Sequence, residues 1–101
     1  MDADFLLLLV DRSLNLLDAR RLRRDQDLGP QGFPVAQAIR LALEAGAAGM
    51  IIVQERMADP VPRRPDIELS RRLKEALAET GVDLLDHFLV SGDSLSACRP
   101  R

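Results

Sequence analysis

The sequence predicts an α/β domain, and three observations predict it. Residues 5–10, FLLLLV, are a continuous apolar run bounded by charges, the pattern of a central strand buried on both faces. Residues 35–53 read as an amphipathic helix, a glycine stop and a second apolar strand, so strand, helix and strand succeed one another as in an α/β layer. Residues 49–69, GMIIVQERMADPVPRRPDIEL, run from a buried-type strand through a loop with three prolines into a new helix. A strand emptying into a polar loop that feeds a helix N-terminus is where α/β enzymes put their chemistry.

Composition bounds what such a domain does. At 101 residues the chain is one domain with a single modest core, and 47% apolar with 30% charged residues is ordinary for a globular chain. A net charge of −2 supplies no global field to recruit DNA or an anionic membrane. Positive charge is almost all arginine, with Lys74 the sole lysine, and it is balanced by the acidic residues. The aromatics are Phe5, Phe33 and Phe88, which argues against single-strand binding by base stacking. The single cysteine, Cys98, excludes an internal disulfide, and no Cys/His pair has zinc spacing. The run at 5–10 is too short to span a membrane, and it follows Asp2 and Asp4 where a signal peptide carries Lys or Arg. A cytoplasmic protein with no targeting segment and no membrane partner is the expectation.

The remaining elements follow in order. Residues 11–13 read as a turn and 14–19 as a second strand, giving a hairpin. Arg20, Arg21, Arg23 and Arg24 resemble a phosphate-contacting patch, but Asp25 and Asp27 follow directly, and a solvated strand end or loop is preferred. Residues 29–34, GPQGFP, are a loop, with Pro34 suited to a first helical turn. Apolar positions 35, 38, 39, 42 and 43 share one helical face, and Gly46 is the expected stop. Asp66 reads as the N-cap of the next helix with Pro65 just outside it, and Leu69, Leu73, Ala76 and Leu77 form its buried stripe. Glu68–Arg72 and Arg71–Glu75 are i,i+4 pairs on its wet side. Gly81 ends it, residues 82–90 and 94–98 are strands around a turn at 91–93, and 99–101 is a terminal tail.

Residues 58–73, ADPVPRRPDIELSRRL, followed by 81–92, GVDLLDHFLVSG, resemble the C-terminal domain of the RadC-like proteins, within the JAB/MPN (JAMM) superfamily of zinc metallopeptidase-type folds. FLLLLVDRSLNLLDA resembles that family's opening hairpin and VAQAIRLALEAGAAGMIIV its helix and strand, so the likeness covers nearly the whole chain, without the family's N-terminal helix-hairpin-helix region. It implies a single α/β (α+β) domain over residues 1–101: a mixed sheet flanked by two main helices, with cytidine-deaminase-like layering.

Active members of the family, the resemblance implies, hold zinc with two histidines one residue apart on a strand and an aspartate at the next helix start. A serine three residues before the aspartate stabilises the oxyanion, and an upstream glutamate is base for the zinc-bound water. With DPVPRRPDIEL fixing the register, the histidine positions fall on Val53 and Glu55, and Pro-Ser-Gly reads Arg56-Met57-Ala58. The serine position holds Arg63, the glutamate position falls on Ala3, and Asp66 alone keeps its residue. Valine has no lone pair for a metal, so the expectation is a pseudoenzyme with no cofactor. Asp66 is then a helix cap worth about 1 kcal/mol. A substitute carboxylate site from Glu55, Asp59, Asp66 and His87 is the weaker reading, because Arg56, Arg63 and Arg64 share the loop. His87, beside Asp86, reads as a satisfied structural residue, and Cys98 as a small hydrophobe.

A protein-interaction or structural role follows from the resemblance. The candidate contact loop is residues 54–65, with Gln54, Glu55, Arg56, Met57, Asp59, Arg63 and Arg64 facing an acidic or peptide partner. Self-association through apolar strand edges is a further expectation. Two alternatives are a metal-dependent hydrolase using carboxylates and a DNA-associated module using residues 20–24 with Arg63 and Arg64, in line with the family's link to DNA repair. Nucleic acid is the disfavoured partner.

Overall fold

Seven elements follow one another in the computed structural model, which describes residues 5–29, 31–57 and 59–98. They are β1 (Phe5–Val10), β2 (Leu16–Leu22), α1 (Val35–Ala45), β3 (Gly49–Glu55), α2 (Arg64–Ala78), β4 (Asp83–Ser91) and β5 (Ser94–Ala97). The sheet is mixed, in the order β2-β1-β3-β4-β5; β3 and β4 pair in parallel and every other neighbouring pair is antiparallel. This is the α/β domain with two helices that the sequence predicts. Among the described residues no helix is long and apolar enough to cross a membrane.

Topology decides where the helices go. Because β1 is antiparallel to both β2 and β3, strands β2, β3 and β4 run the same way. The β2–α1–β3 and β3–α2–β4 connections step across the sheet in one direction, and right-handed crossovers place both helices on the same face. Packing agrees: Phe5, Leu7, Leu9, Met50 and Ile52 from the strands meet Ala38 and Ala42 of α1 and Leu69, Leu73 and Leu77 of α2 in one core. Phe33, in the loop before α1, closes that core edge-on against Phe5, with ring centroids 4.9 Å apart. Burying Leu73 and Leu77 completely contributes on the order of 2 kcal/mol each.

Several expectations shift. β1 is buried on the helix-facing side, but Leu6 and Leu8 on its other side are half-buried, because no helix covers them. β2 begins two residues later than expected and runs to Leu22, since Asp11 holds residues 13 and 15 in the turn through its carboxylate. The segment read as a solvated strand end is therefore partly strand, with Leu22 paired to Phe5. The Gly46 stop stands, at φ 68° with its N–H on the Ala42 and Leu43 carbonyls. α2 starts at Arg64, so Pro65 lies inside its first turn, where a missing N–H costs no hydrogen bond, and Asp66 is the third helical residue rather than the cap. Its C-cap is Glu79, ahead of Gly81. Glu68 turns back to Arg64 at 4.0 Å in place of Arg72. Ala3, Ala58 and the 99–101 tail lie outside the described residues.

Candidate functional site

The loop leaving β3 and the first turn of α2 converge on Asp66. Its carboxylate is fully buried and each oxygen is engaged. Oδ2 accepts the Arg63 backbone N–H at 2.8 Å, the reciprocal half of a capping box. Oδ1 accepts Gln31 Nε2 at 2.8 Å and a guanidinium N–H of Arg56, forming an ion pair in which the Arg56 side chain is 15% exposed. Arg56 is held from both sides. Its backbone N–H extends the sheet by donating to Val90 O at 2.8 Å, and Nη1 donates to Val61 O at 3.1 Å, folding the loop back over the pair.

From Asp66 a chain of hydrogen bonds runs inward beneath α2. Gln54 Nε2 donates to Gln31 Oε1 at 3.1 Å, Gln54 Oε1 faces His87 Nε2 at 3.1 Å, and His87 Nδ1 meets Ser70 Oγ at 2.7 Å. Ser70 Oγ also lies 3.0 Å from the Cys98 carbonyl. The carboxylate at one end sets the direction of the links as far as His87 Nε2. It only accepts, so Gln31 turns its amide nitrogen outward and its oxygen to Gln54, and Gln54 in turn presents oxygen to the imidazole. His87 Nε2 must then carry the proton. Burial pulls the His87 pKa down to about 4, so the ring is neutral at pH 7, and the one Ser70 hydroxyl proton has two acceptors within reach, the Cys98 carbonyl and His87 Nδ1. Burial likewise pushes the Cys98 thiol up to about 11, which leaves it an unreactive thiol. Among the described residues no buried side-chain polar atom is without a partner.

The two strand positions flanking Gln54 lie elsewhere. Alternation turns Gln54 toward the helices with Met50 and Ile52 and turns Val53 and Glu55 to the opposite face. Val53 is half-buried between Leu6 and Phe88, and Glu55 is exposed, 3.9 Å from Arg21. Asp59, Met57 and Arg63 are exposed on the loop, Met57 at 93%, and Arg64 is exposed at the first position of α2. Glu55, Asp59, Asp66 and His87 therefore do not converge; His87 reaches Asp66 only through two glutamines. Among the described residues no group of three or more His, Cys, Asp and Glu side chains could hold a metal ion.

Sequence reasoning missed Gln31, Gln54's inward role, Ser70 and the link to Cys98. Two of these had a signal. Gln54 shares the core parity of Met50 and Ile52, and Ser70 lies on the 66-69-70-73-77 stripe, so each is a polar residue on a buried face that needs a partner. Gln31 had none, because a loop of a dozen residues carries it to the site. Away from that site, an open cleft of about 1270 Å³ lies between the end of β2, the loop after it and the start of α1; Arg21, Arg23, Arg24 and Arg72 line it with Asp25 and Asp27.

Fold and site together define an α/β domain of the JAB type whose loop-to-helix junction is organised by a buried aspartate. The chain matches the RadC-like JAB domain family over residues 2–100, and it belongs to that family. It is 32% identical over 93 residues to a UPF0758 protein of Neisseria meningitidis serogroup C, covering 91% of this chain and 41% of that protein. A UPF0758 protein of Desulforamulus reducens is 28% identical over 102 residues, 100% of this chain and 45% of its own length. One from Bordetella petrii is 31% identical over 91 residues, 89% of this chain and 40% of the relative. The chain thus spans about two fifths of the length of the curated relatives it matches.

Proposed function

We propose that this chain is a non-catalytic RadC-like JAB domain of the cytoplasm, acting as a protein-interaction or structural module. The observation that carries the reading is the saturation of Asp66. At the one position that retains a zinc-ligand residue of the family's pattern, a guanidinium, an amide and a backbone N–H occupy the carboxylate. Arg56 supplies there the positive charge that a metal ion supplies in an active member. The residues do not fit zinc: Val53 has no donor atom, and Glu55 faces away from Asp66.

The contact surface is the exposed part of the loop. Met57, Val61, Arg63 and Arg64 offer apolar area and bidentate donors on a backbone stiffened by Pro60 and Pro62, a composition suited to an acidic peptide segment. Gln54 and Arg56 serve it from beneath by fixing its shape. The test is affinity capture with the wild-type chain and with a Met57→Ala, Arg63→Ala, Arg64→Ala variant, alongside a peptidase assay with zinc added. The reading expects capture of a partner that the variant loses, and no chelator-sensitive hydrolysis. Hydrolysis abolished by a chelator contradicts it.

The arginine-lined cleft favours one second reading, a nucleic-acid contact made by Arg23, Arg24 and Arg72. Asp25 and Asp27 weaken it. Duplex binding that falls steeply with salt supports this reading, and no binding at low salt ends it.

A further inference from the structure

Both helices pack on one face of the sheet, and no element among the described residues covers the other. Residues paired across strands share a face, so the register reads out what that open face carries. One row is Arg21–Leu6–Val53–Phe88–Ala97, the next is Ala19–Leu8–Ile51–Asp86, and a third is Glu55–Val90–Leu95. The centre is therefore Leu6, Leu8, Ile51, Val53, Phe88 and Val90. All six are half-buried, and none belongs to the core or packs against it. Leu95, at the β5 edge, is 62% exposed. An apolar face continuous over four strands is more than scattered surface hydrophobes, and it marks an interaction site.

Among the described residues this face carries few charges. Arg21 and Glu55 are 3.9 Å apart at one corner. Asp86 is half-buried in register with Ile51 and accepts its own His87 N–H at 3.0 Å. Against six central apolar side chains these three charges give a charged partner little to pair with. An apolar face of the same width and the same twist does fit, because two such sheets stack about 10 Å apart with strands inclined by about 30°. Five strands spaced about 4.8 Å apart and six residues long give roughly 500 Å² in projection. Side-chain relief takes the accessible area toward the roughly 800 Å² per partner that a stable dimer buries.

We infer that the open sheet face is a homodimer interface, covered by the same face of a second copy of this chain. The dimer is isologous, two sheets back to back with the helices outside and both 54–65 loops free. It goes beyond the loop-mediated role proposed above and uses a different surface, so either can fail without the other.

Sedimentation velocity of the 101-residue chain from about 1 to 100 µM tests it, a range that brackets a micromolar dissociation constant. Wild type is expected to sediment at twice 11.2 kDa in the upper part of that range. Ile51→Lys, at the centre of the face, is expected to be monomeric throughout with an unchanged far-UV circular dichroism spectrum. Ile51→Thr and Leu8→Thr preserve β-branching or strand pairing if the lysine disturbs folding, and each is expected to weaken the dimer by about tenfold or more. Met57→Ala is expected to leave the dimer intact. A wild type that is monomeric across the whole range overturns the inference. So does a dimer that survives the Ile51 and Leu8 variants, which places association at a strand edge instead.

Discussion

Replacing Asp66 by asparagine removes one charge and almost no volume, so it isolates the electrostatic content of the site. Arg56 is then left 15% exposed with no carboxylate, its guanidinium still tied by Nη1 to the Val61 carbonyl. Removing one partner of a buried ion pair costs about 3–5 kcal/mol, and the residual exposure of Arg56 puts this case near 3. The asparagine cannot satisfy Gln31 and the Arg63 N–H with one oxygen, which adds about 1 kcal/mol for the lost helix-start bond. The expected loss is about 3–4 kcal/mol, a large share of the 5–15 kcal/mol that stabilises a typical domain. Urea unfolding followed by circular dichroism reads it as a lowered midpoint at constant slope. A cycle with Arg56→Met gives the pair directly. The double variant is expected to be at least about 2 kcal/mol more stable than additivity allows, because each single variant strands the other's partner. A loss under about 1 kcal/mol for Asp66→Asn, or an additive cycle, would refute the account of Asp66 as a saturated structural anion.

Two further outcomes follow from the same geometry. His87 titrates near pH 4 when folded and near 6.5 when unfolded, so between those values the unfolded chain binds the extra proton and stability rises with pH. About 3 kcal/mol is expected to be lost on going from pH 7 to pH 4, a slope that His87→Gln flattens in urea midpoints taken at several pH values. Gly32 holds φ +66°, and an added Cβ falls 2.7 Å from the Asp25 carbonyl oxygen, so Gly32→Ala displaces the loop that delivers Gln31. A cost of more than about 1 kcal/mol is expected, with faster amide exchange at Gln31 and Asp25, and wild-type exchange rates would contradict it.

Much of the fold was legible because its signals are local. The 5–10 run, the helical face from Val35, the Gly46 stop and the 66–77 stripe each follow from periodicity or turn chemistry, and with the strands read at 14–19, 47–53, 82–90 and 94–98 they give seven elements in the right order. The one-sided placement of the helices was not, since it depends on the register and direction of strands far apart in sequence. The reading of β1 as buried on both faces shows the consequence: every position from 5 to 10 is apolar, and only topology tells which side is covered. At the site, Asp66 was found, but its role was read from neighbours in the chain. Its actual partners Gln31 and Arg56 are 35 and 10 residues away, and no local pattern links a loop glutamine to a helix start.

Metal binding by the untagged chain tests the central claim most directly. After incubation with zinc or with manganese and exhaustive dialysis, elemental analysis of wild type is expected to find well under one equivalent of either metal. Thermal unfolding is expected to be indifferent to both ions and to chelator, since a ligand bound at a hundred times its dissociation constant adds about 2.7 kcal/mol to stability. One equivalent of metal, lost in Asp66→Asn, would mean that Asp66 is a ligand rather than the partner of Arg56, and the non-catalytic account would fall.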